Sequence, residues 1–143
     1  MKKLKKITKK GLEKKLDELV KEIVFKRDRY GCVTCPIWRG IKFDKHIMSD
    51  IMQPGHYITR GAKTVRWDLR NVYKQCKTCN FLHEIHPEVL AKYVVATLGQ
   101  KGFDELVRDG NRVQPSIHVW ELQQIYDKLL QVKEKKEKWL NQI

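Results

Sequence analysis

The sequence has no apolar run longer than a few residues, which excludes a segment that could span a bilayer. Its first ten residues, MKKLKKITKK, lack the apolar stretch of a secretory signal, so we expect a cytoplasmic protein. No internal repeat, Gly/Ser-rich linker or low-complexity block divides the 143 residues. We therefore expect a single domain spanning residues 1–143.

Acidic residues are scarce, because 17 Asp and Glu stand against 30 Lys and Arg, for a net charge of +13. Such a strongly basic balance is typical of a protein that binds nucleic acid. A solubilising surface or a protein that lies on a membrane surface would show the same excess of positive charge. Charge therefore favours a nucleic-acid partner without deciding between these classes.

Cysteine is also rare, and its four copies form two Cys-x-x-Cys pairs, Cys32 with Cys35 and Cys76 with Cys79. A reducing cytosol disfavours disulfides, which leaves metal binding or redox chemistry. Either pair alone would also suit a redox site. Two pairs with no cysteine left over match a tetrahedral site of four thiolates, and we expect them to bind structural Zn²⁺.

Helical periodicity dominates both ends of the chain. Leucine and isoleucine recur at spacings of three and four within residues 9–29, where Lys and Glu occupy the other face. Similar spacing predicts a helix that begins at Pro87 and ends near Gly99, a short helix around residues 103–107, and a last helix capped by Ser116.

The middle of the chain has a different pattern. Residues 37–54 predict a short helix ended by Pro54, with His46 as an ordinary surface histidine. Residues 56–59 and 65–69 predict two short strands. The expected fold class is α+β and mostly helical, in three parts: a basic N-terminal helix in 1–30, a zinc-stapled core in 31–86 and a helical C-terminal part in 87–143.

Two polar residues of the core suit the hydrolysis of a phosphodiester bond. This reaction needs an activated water, neutralisation of the developing charge and stabilisation of the leaving oxygen. A neutral histidine such as His56 is a fit general base near pH 7. The amide oxygen of Asn80 suits a hard divalent cation, and its neighbour Cys79 would hold it in place through the zinc.

The segment GHYITRGAKTVRWDLRNVYKQCKTCN, residues 55–80, resembles the HNH endonucleases, also known as His-Me finger or ββα-metal nucleases. Within them it is similar to the phage NinG/Rap recombination nucleases, whose members share GH-[YF]-x-[ST]-R-G, a later R-[WF]-[DE] and N-V-x-x-Q-C-x-x-C-N. The resemblance implies a ββα-metal core with long terminal helices. It also implies a phage- or prophage-encoded enzyme, acting in the bacterial host, that cuts branched DNA such as Holliday junctions or D-loops with Mg²⁺ or Mn²⁺.

The same resemblance assigns roles to three polar residues. It implies that His56 is the general base, that Asn71 holds the loop between the two strands, and that Asn80 binds the catalytic divalent ion. Many HNH enzymes carry Asp or His immediately before the base as a second metal ligand, and Gly55 occupies that position here. We predict His83 as the substitute ligand, with Glu84 and His86 as alternatives.

Three basic residues follow the base closely, and we expect Arg60, Lys63 and Arg66 to contact the phosphates of DNA. The alternative is that the two arginines form salt bridges with Asp68 or Asp44.

Two rival functions remain open from the sequence, namely a catalytically inactive zinc-stapled module that binds DNA and one that binds or cuts RNA. A symmetric double cut in a four-way junction needs two active sites, so we also expect a homodimer. The long terminal helices are the expected dimer surfaces.

Overall fold

The computed structural model describes residues 6–41, 43, 45–114 and 116–141, with only the backbone for 137–141. Residues 1–5 of the predicted basic N-terminal part lie outside this range. The described residues form helices and one hairpin in the order α1 (Lys9–Arg27), α2 (Cys35–Arg39), β1 (Met52–His56), β2 (Val72–Cys76), α3 (Lys77–Leu82), α4 (Pro87–Gly110) and α5 (Val119–Asn141). The mixed, helix-rich class expected from the sequence is confirmed.

Helices α1 and α5 pack against each other through the apolar faces predicted from their periodicity. The Oγ1 atom of Thr8 accepts a hydrogen bond from the Gly11 amide at 3.0 Å, which starts α1 at its predicted position. Burying one leucine contributes about 2 kcal/mol. The shared cluster contains Leu12, Leu16, Leu19, Val20, Ile23 and Val24 from α1 with Ile117, Leu122 and Leu129 from the C-terminal part.

Strands β1 and β2 pair antiparallel, with Met52 opposite Cys76 and His56 opposite Val72. Helix α3 begins directly after β2, because the Cys76 sulfur accepts a hydrogen bond from the Cys79 amide and caps the helix. The order is therefore strand, strand, helix, with residues 57–71 as the loop between the strands.

The helix predicted within residues 37–54 is wrong. Helix α2 is earlier and ends at Arg39, and β1 includes Pro54, where the helix was expected to end. The four apolar residues that suggested a helix do not share a buried face, since Ile47 is 74% and Ile51 is 56% exposed while Phe43 and Met52 pack beside the cysteines. Pro54 is tolerated because β1 has a single partner strand and needs no amide hydrogen on its outer edge.

The strand predicted for residues 65–69 is also wrong, because this stretch forms consecutive turns. The amide of Val65 donates to the Ala62 carbonyl, and the amide of Asp68 donates to the Val65 carbonyl, both at 3.1 Å. Alternate residues are buried as in a strand, but Val65 and Trp67 enter different apolar clusters. Of the strand predicted for residues 56–59, only the first residue belongs to β1.

The C-terminal part differs from the prediction at its boundaries. Helix α4 joins the two predicted helices across a kink at Gly99, whose φ of 75° lies in the left-handed region that suits glycine. Helix α5 starts at Val119, after a capping contact in which the Glu121 carboxylate accepts from the His118 amide at 2.7 Å, so Ser116 is not its cap. In the part of the chain that the structure describes, none of the helices combines the length and apolar character needed to cross a membrane.

Candidate functional site

The four cysteine sulfurs, here named the cysteine cluster, come together in a buried group. All four lie within 4.8 Å of one another, and Cys35 is 3.6 Å from Cys76 and 3.5 Å from Cys79. A tetrahedral zinc ion with Zn–S bonds of about 2.3 Å places its sulfurs about 3.8 Å apart. These spacings are too long for disulfides, which need about 2.05 Å. The cysteine cluster can therefore hold a metal ion such as zinc.

Backbone contacts align the two Cys-x-x-Cys turns. The amide of Val33 donates to the Lys74 carbonyl at 2.9 Å, which sets the first turn against β2. Trp38, Leu82 and Val89 surround the sulfurs and keep water away. The cysteine cluster thus joins α2, β2 and α3 at one point.

His46 lies against this cluster, so its interpretation as an ordinary surface histidine is wrong. Its Nε2 atom is 3.2 Å from the Cys79 sulfur and 3.6 Å from the Cys35 sulfur. The ring stacks on Trp38 with their centroids 5.3 Å apart. A histidine N–H at this distance can donate to a thiolate. His46 is in an irregular segment without ligand spacing, which is why sequence reasoning missed it.

A cleft of about 400 Å³ separates α1 from the hairpin and α3. One wall is formed by Asp17, Val20 and Lys21 of α1, and the opposite wall includes Gln53, His56 and Asn80. The structure therefore brings together the predicted base and the predicted metal-binding asparagine.

The backbone orients His56. Its Nε2 atom is 3.0 Å from the Arg66 carbonyl, and since a carbonyl can only accept, Nε2 carries the proton. The neutral ring then has its lone pair on Nδ1. Burial lowers the pKa of His56 below its usual value, although the bond to the Arg66 carbonyl opposes this effect. At neutral pH, Nδ1 can therefore accept a proton.

A side-chain contact orients Asn80, which stands one residue after Cys79 in α3. Its Nδ2 atom donates to the Oε1 atom of Gln53 at 3.0 Å. This bond uses the amide nitrogen and not the oxygen, which is the atom that a hard cation would bind. The cysteine cluster and Gln53 together determine where that oxygen lies.

Asn71 is fully buried and cross-links the loop of residues 57–71. Its Oδ1 atom accepts from the Ile58 amide at 2.8 Å, and its Nδ2 atom donates to the carbonyls of Ile58 and Val65 at 3.0 and 3.2 Å. Its own carbonyl accepts from the Tyr57 amide at 2.9 Å. These bonds join the two ends and the middle of the loop that follows His56.

Packing explains why position 55, immediately before His56, is a glycine. It is buried, and a Cβ atom there would overlap the side chain of Gln75, whose Nε2 atom donates to the Thr34 hydroxyl at 3.0 Å. A carboxylate or imidazole before His56 would require Gln75 to move. Glycine at this position therefore lets Gln75 keep its bond to Thr34.

The predicted substitute ligands make contacts outside the cleft. The Nε2 atom of His83 is 2.9 Å from the Tyr57 carbonyl, and the ring packs on the Tyr57 ring. The Nδ1 atom of His86 is 2.9 Å from the Glu88 carboxylate. Neither histidine nor Glu84 lines the cleft.

The three predicted phosphate-binding residues all pair with acidic side chains of α1. Arg60 contacts Asp17 at 2.9 Å, Lys63 contacts Glu13 at 3.3 Å, and Arg66 contacts Asp17 at 2.7 Å. Their side chains are exposed to different extents, 62% for Arg60, 41% for Lys63 and 13% for Arg66.

The alternative prediction, that Arg60 and Arg66 form salt bridges with Asp68 or Asp44, named the wrong partners, because both pair with Asp17 of α1. Asp68 pairs with Arg70 at 2.6 Å, and Asp44 lies outside the described residues.

Comparison with known proteins assigns the chain to a family. The family model described as "Bacteriophage Lambda NinG protein" matches residues 1–138. The chain belongs to the NinG family. "Protein ninG" of Escherichia phage 933W and "Protein ninG" of Escherichia phage lambda are each 26% identical to it over 113 residues, or 78% of this chain. No solved structure matches the chain.

The aligned region covers 49% and 48% of these two proteins, so this NinG family chain spans about half the length of the curated relatives it matches. The family match extends over α1, the cysteine cluster and the cleft alike.

Sequence reasoning missed the contribution of α1 to the cleft of this NinG family member. Glu13 and Asp17 are spaced by four on a lysine-rich helix, which places them on one face. That spacing was the available signal, but it could not show which cations they meet from a loop some fifty residues later.

Proposed function

We propose that this chain is a metal-dependent DNA endonuclease of the HNH type. The observation that carries the proposal is that His56 and Asn80 line one cleft on a strand–strand–helix unit, each with one polar atom held by the protein. The atoms they leave for a reaction are the Nδ1 of a neutral imidazole and an amide oxygen. These are a proton acceptor and a ligand for a hard cation.

In the proposed reaction, Nδ1 of His56 accepts a proton from the water that attacks the phosphorus. The Arg66 carbonyl holds the ring on its other side, and Asn71 holds the loop that carries this carbonyl. The Oδ1 atom of Asn80 would hold Mg²⁺ or Mn²⁺, which supplies charge neutralisation at the phosphate and the leaving oxygen. Because His83 lies outside the cleft, we do not give it a role in the reaction.

The exposed cations beside the cleft are the proposed phosphate contacts. Arg60 and Lys63 each have one acidic partner on α1 and keep much of their side chains in solvent. A DNA phosphate can replace a surface carboxylate as their partner, since exposed ion pairs contribute little. The net charge of +13 favours the same class of ligand.

We propose structural Zn²⁺ for the cysteine cluster. Its sulfurs fit a tetrahedral ion, and none of the four buried cysteines lines the cleft. The ion would hold the start of α3, and thereby Asn80, while taking no part in the reaction.

Branched DNA, such as a Holliday junction or a D-loop, is the proposed substrate, on the strength of the resemblance of residues 55–80 to phage recombination nucleases. The test incubates a fluorescent four-way junction and a linear duplex with the protein and Mg²⁺. Wild type should cut the junction, and His56→Ala should cut at least about 100-fold more slowly because it lacks the base. His118→Ala, immediately before α5, is the matched histidine control and should cut like wild type.

The alternative is a zinc-stapled module that binds DNA or RNA without cutting. Equal junction binding by wild type and His56→Ala, with no cleavage by either, would favour it over the enzyme. A structured RNA competitor distinguishes a DNA-binding from an RNA-binding protein. A DNA nuclease should stay bound to the four-way junction when that RNA is added.

A homodimer would supply the two cuts that a symmetric junction needs. The apolar faces of α1 and α5 pack against each other within one chain, so a dimer through these helices would use their remaining exposed faces. Molar mass from light scattering at micromolar concentration, with and without junction DNA, tests this proposal, and a monomer in both conditions contradicts it.

A further inference from the structure

Asp17 of α1 holds two consecutive side chains of the loop between the strands. Its Oδ1 atom accepts from the Trp67 indole at 2.8 Å and from Nε of Arg66 at 3.2 Å, and its Oδ2 atom accepts from Nη2 of Arg66 at 2.7 Å. A carboxylate that accepts from both Nε and Nη2 along one edge of a guanidinium restricts its position and orientation. Asp17 therefore grips the side chains on both sides of a single peptide bond.

That peptide bond carries the carbonyl which orients the proposed base. The oxygen of Arg66 belongs to the peptide unit between Arg66 and Trp67, and it lies 3.0 Å from Nε2 of His56. The same unit is anchored in the core by Trp67, which is 4% exposed and packs among the apolar residues of α1. Hydrogen bonds from Asp17 to Arg66 and Trp67, and from their shared peptide unit to His56, thus connect α1 to the imidazole.

Helix α1 is itself attached to the hairpin at a second point. Arg27, at its end, donates to the carbonyls of Leu69 and Val72 at 2.7 and 2.6 Å. Its neighbour Asp28 accepts from the Lys74 amide at 3.0 Å. Two anchors, ten residues apart on one helix, restrict any sliding of α1 relative to the loop.

The electrostatic state of Asp17 fits a permanent clamp. Burial raises the pKa of its carboxyl, but the hydrogen bonds from Arg66 and Trp67 more than offset this, and the pKa lies below its usual value. Arg66 is engaged on its remaining edge by Glu13 at 3.5 Å and is 13% exposed. Its guanidinium has little capacity left for a phosphate, unlike that of Arg60.

We propose that Asp17 is a positioning residue for the site: by clamping Arg66 and Trp67 it sets the carbonyl that keeps His56 in the Nε2–H tautomer with Nδ1 facing the cleft. Helix α1 is then part of the active centre, and Arg66 serves as a strut inside the protein. The catalytic consequence rests on the proposed nuclease function, whereas the tautomer and its control by Asp17 do not.

The test measures the tautomer of His56 directly, by long-range ¹⁵N–¹H correlation NMR of its imidazole in protein without Mg²⁺ or Mn²⁺. The variant His56→Ala identifies the signals of this ring. Wild type should show a single Nε2–H tautomer. Asp17→Asn keeps the shape of the side chain but loses its charge and one strong acceptor, and should give a mixture of tautomers. In junction cleavage it should lower kcat about 10- to 100-fold. Asp17 also pairs with Arg60 at 2.9 Å, so an effect on DNA binding is measured separately as a change in KM.

Glu18→Gln is the matched control, because it removes the same charge from the next residue of α1, which also lines the cleft but holds neither Arg66 nor Trp67 among the described residues. It should leave the His56 tautomer unchanged. An unchanged single tautomer in a folded Asp17→Asn protein would overturn the proposal, as would an equal change in Glu18→Gln, since that would indicate a general charge effect.

If Asp17→Asn does not fold, Trp67→Phe and Arg66→Lys each remove one arm of the clamp and take its place in the same measurement. A single Nε2–H tautomer in both would overturn the proposal, and mixed tautomers would support it. A wild-type protein that never cuts but shows the predicted tautomers would refute the nuclease and leave the clamp standing.

Discussion

The cysteine cluster and the cleft contain adjacent residues, Cys79 and Asn80, yet their side chains are held in place in different ways. The cluster is closed, buried and made of four identical ligands that face one another. The cleft is open, and each of its key side chains is held by a different segment: His56 by the loop, Asn80 by β1 and the loop by α1.

The difference teaches how a small protein can hold both a closed ion site and an open cleft. A metal bound by four thiolates needs no help from distant elements, because its geometry comes from the ion. A cleft that must admit a substrate cannot be closed in this way. The positions of its side chains therefore depend on hydrogen bonds from neighbouring segments. Here the cluster supports one side of the cleft and α1 supports the other.

The largest effect should come from removing the ion of the cluster. A chelator strong enough to strip zinc, or the variant Cys79→Ser, should unfold the hairpin and α3, since structural zinc contributes on the order of 10 kcal/mol. Metal analysis should find about one zinc per chain before treatment, and circular dichroism should follow the unfolding. Removing Mg²⁺ alone is the control and should leave the thermal transition in place.

The next effect sharpens the contrast from the side of the cleft. Asn80→Ala should reduce cleavage about 100-fold or more and raise the Mg²⁺ concentration needed for half-maximal rate, because the cation loses its protein oxygen. Zinc content and thermal stability should be close to those of wild type. Loss of zinc together with activity would mean that the two regions are not separable.

A pH profile tests the state of the base. Burial lowers the pKa of His56 below its usual value of 6.5, so the ring is neutral throughout the neutral range. The rate of cleavage should be flat at neutral pH and fall about tenfold per pH unit only on an acidic limb below 6.5. A limb at or above pH 7, measured at saturating Mg²⁺, would contradict the assignment of His56.

The smallest effect separates two arginines with the same partner. Arg60→Ala should weaken junction binding several-fold and reduce the salt dependence by about one counterion, without changing stability. Arg66→Ala should instead lower the free energy of unfolding by roughly 2 kcal/mol, because it removes the bidentate partner of a partly buried carboxylate and leaves Asp17 with Arg60 and the Trp67 indole. Fluorescence anisotropy at several salt concentrations and thermal unfolding distinguish these outcomes.

Local patterns predicted the cluster and the long helices α1 and α5. The two Cys-x-x-Cys turns carry their ligand geometry within four residues each, and they meet in the structure as expected. Helix α1 follows from apolar spacing and a threonine cap, both of which are local. Asn80 was placed beside the cluster because it adjoins Cys79.

Contacts between distant segments could not be predicted in the same way. The apolar residues at 43, 47, 51 and 52 read as a helix, yet the adjacent strand forms because β2 supplies its partner. His46 reaches the sulfurs only through the path of an irregular segment. The pairing of Asp17 with Arg66 and Trp67 joins residues about fifty positions apart, beyond any periodicity.

The separation of two metal roles is tested most directly by one experiment on a single sample. Zinc-loaded protein is freed of Mg²⁺ with a chelator too weak to remove zinc, and junction cleavage is then followed in single turnover as Mg²⁺ or Zn²⁺ is added back. The account predicts that Mg²⁺ alone restores cutting while zinc stays at about one per chain. Recovery that requires added Zn²⁺, with no response to Mg²⁺, would contradict it.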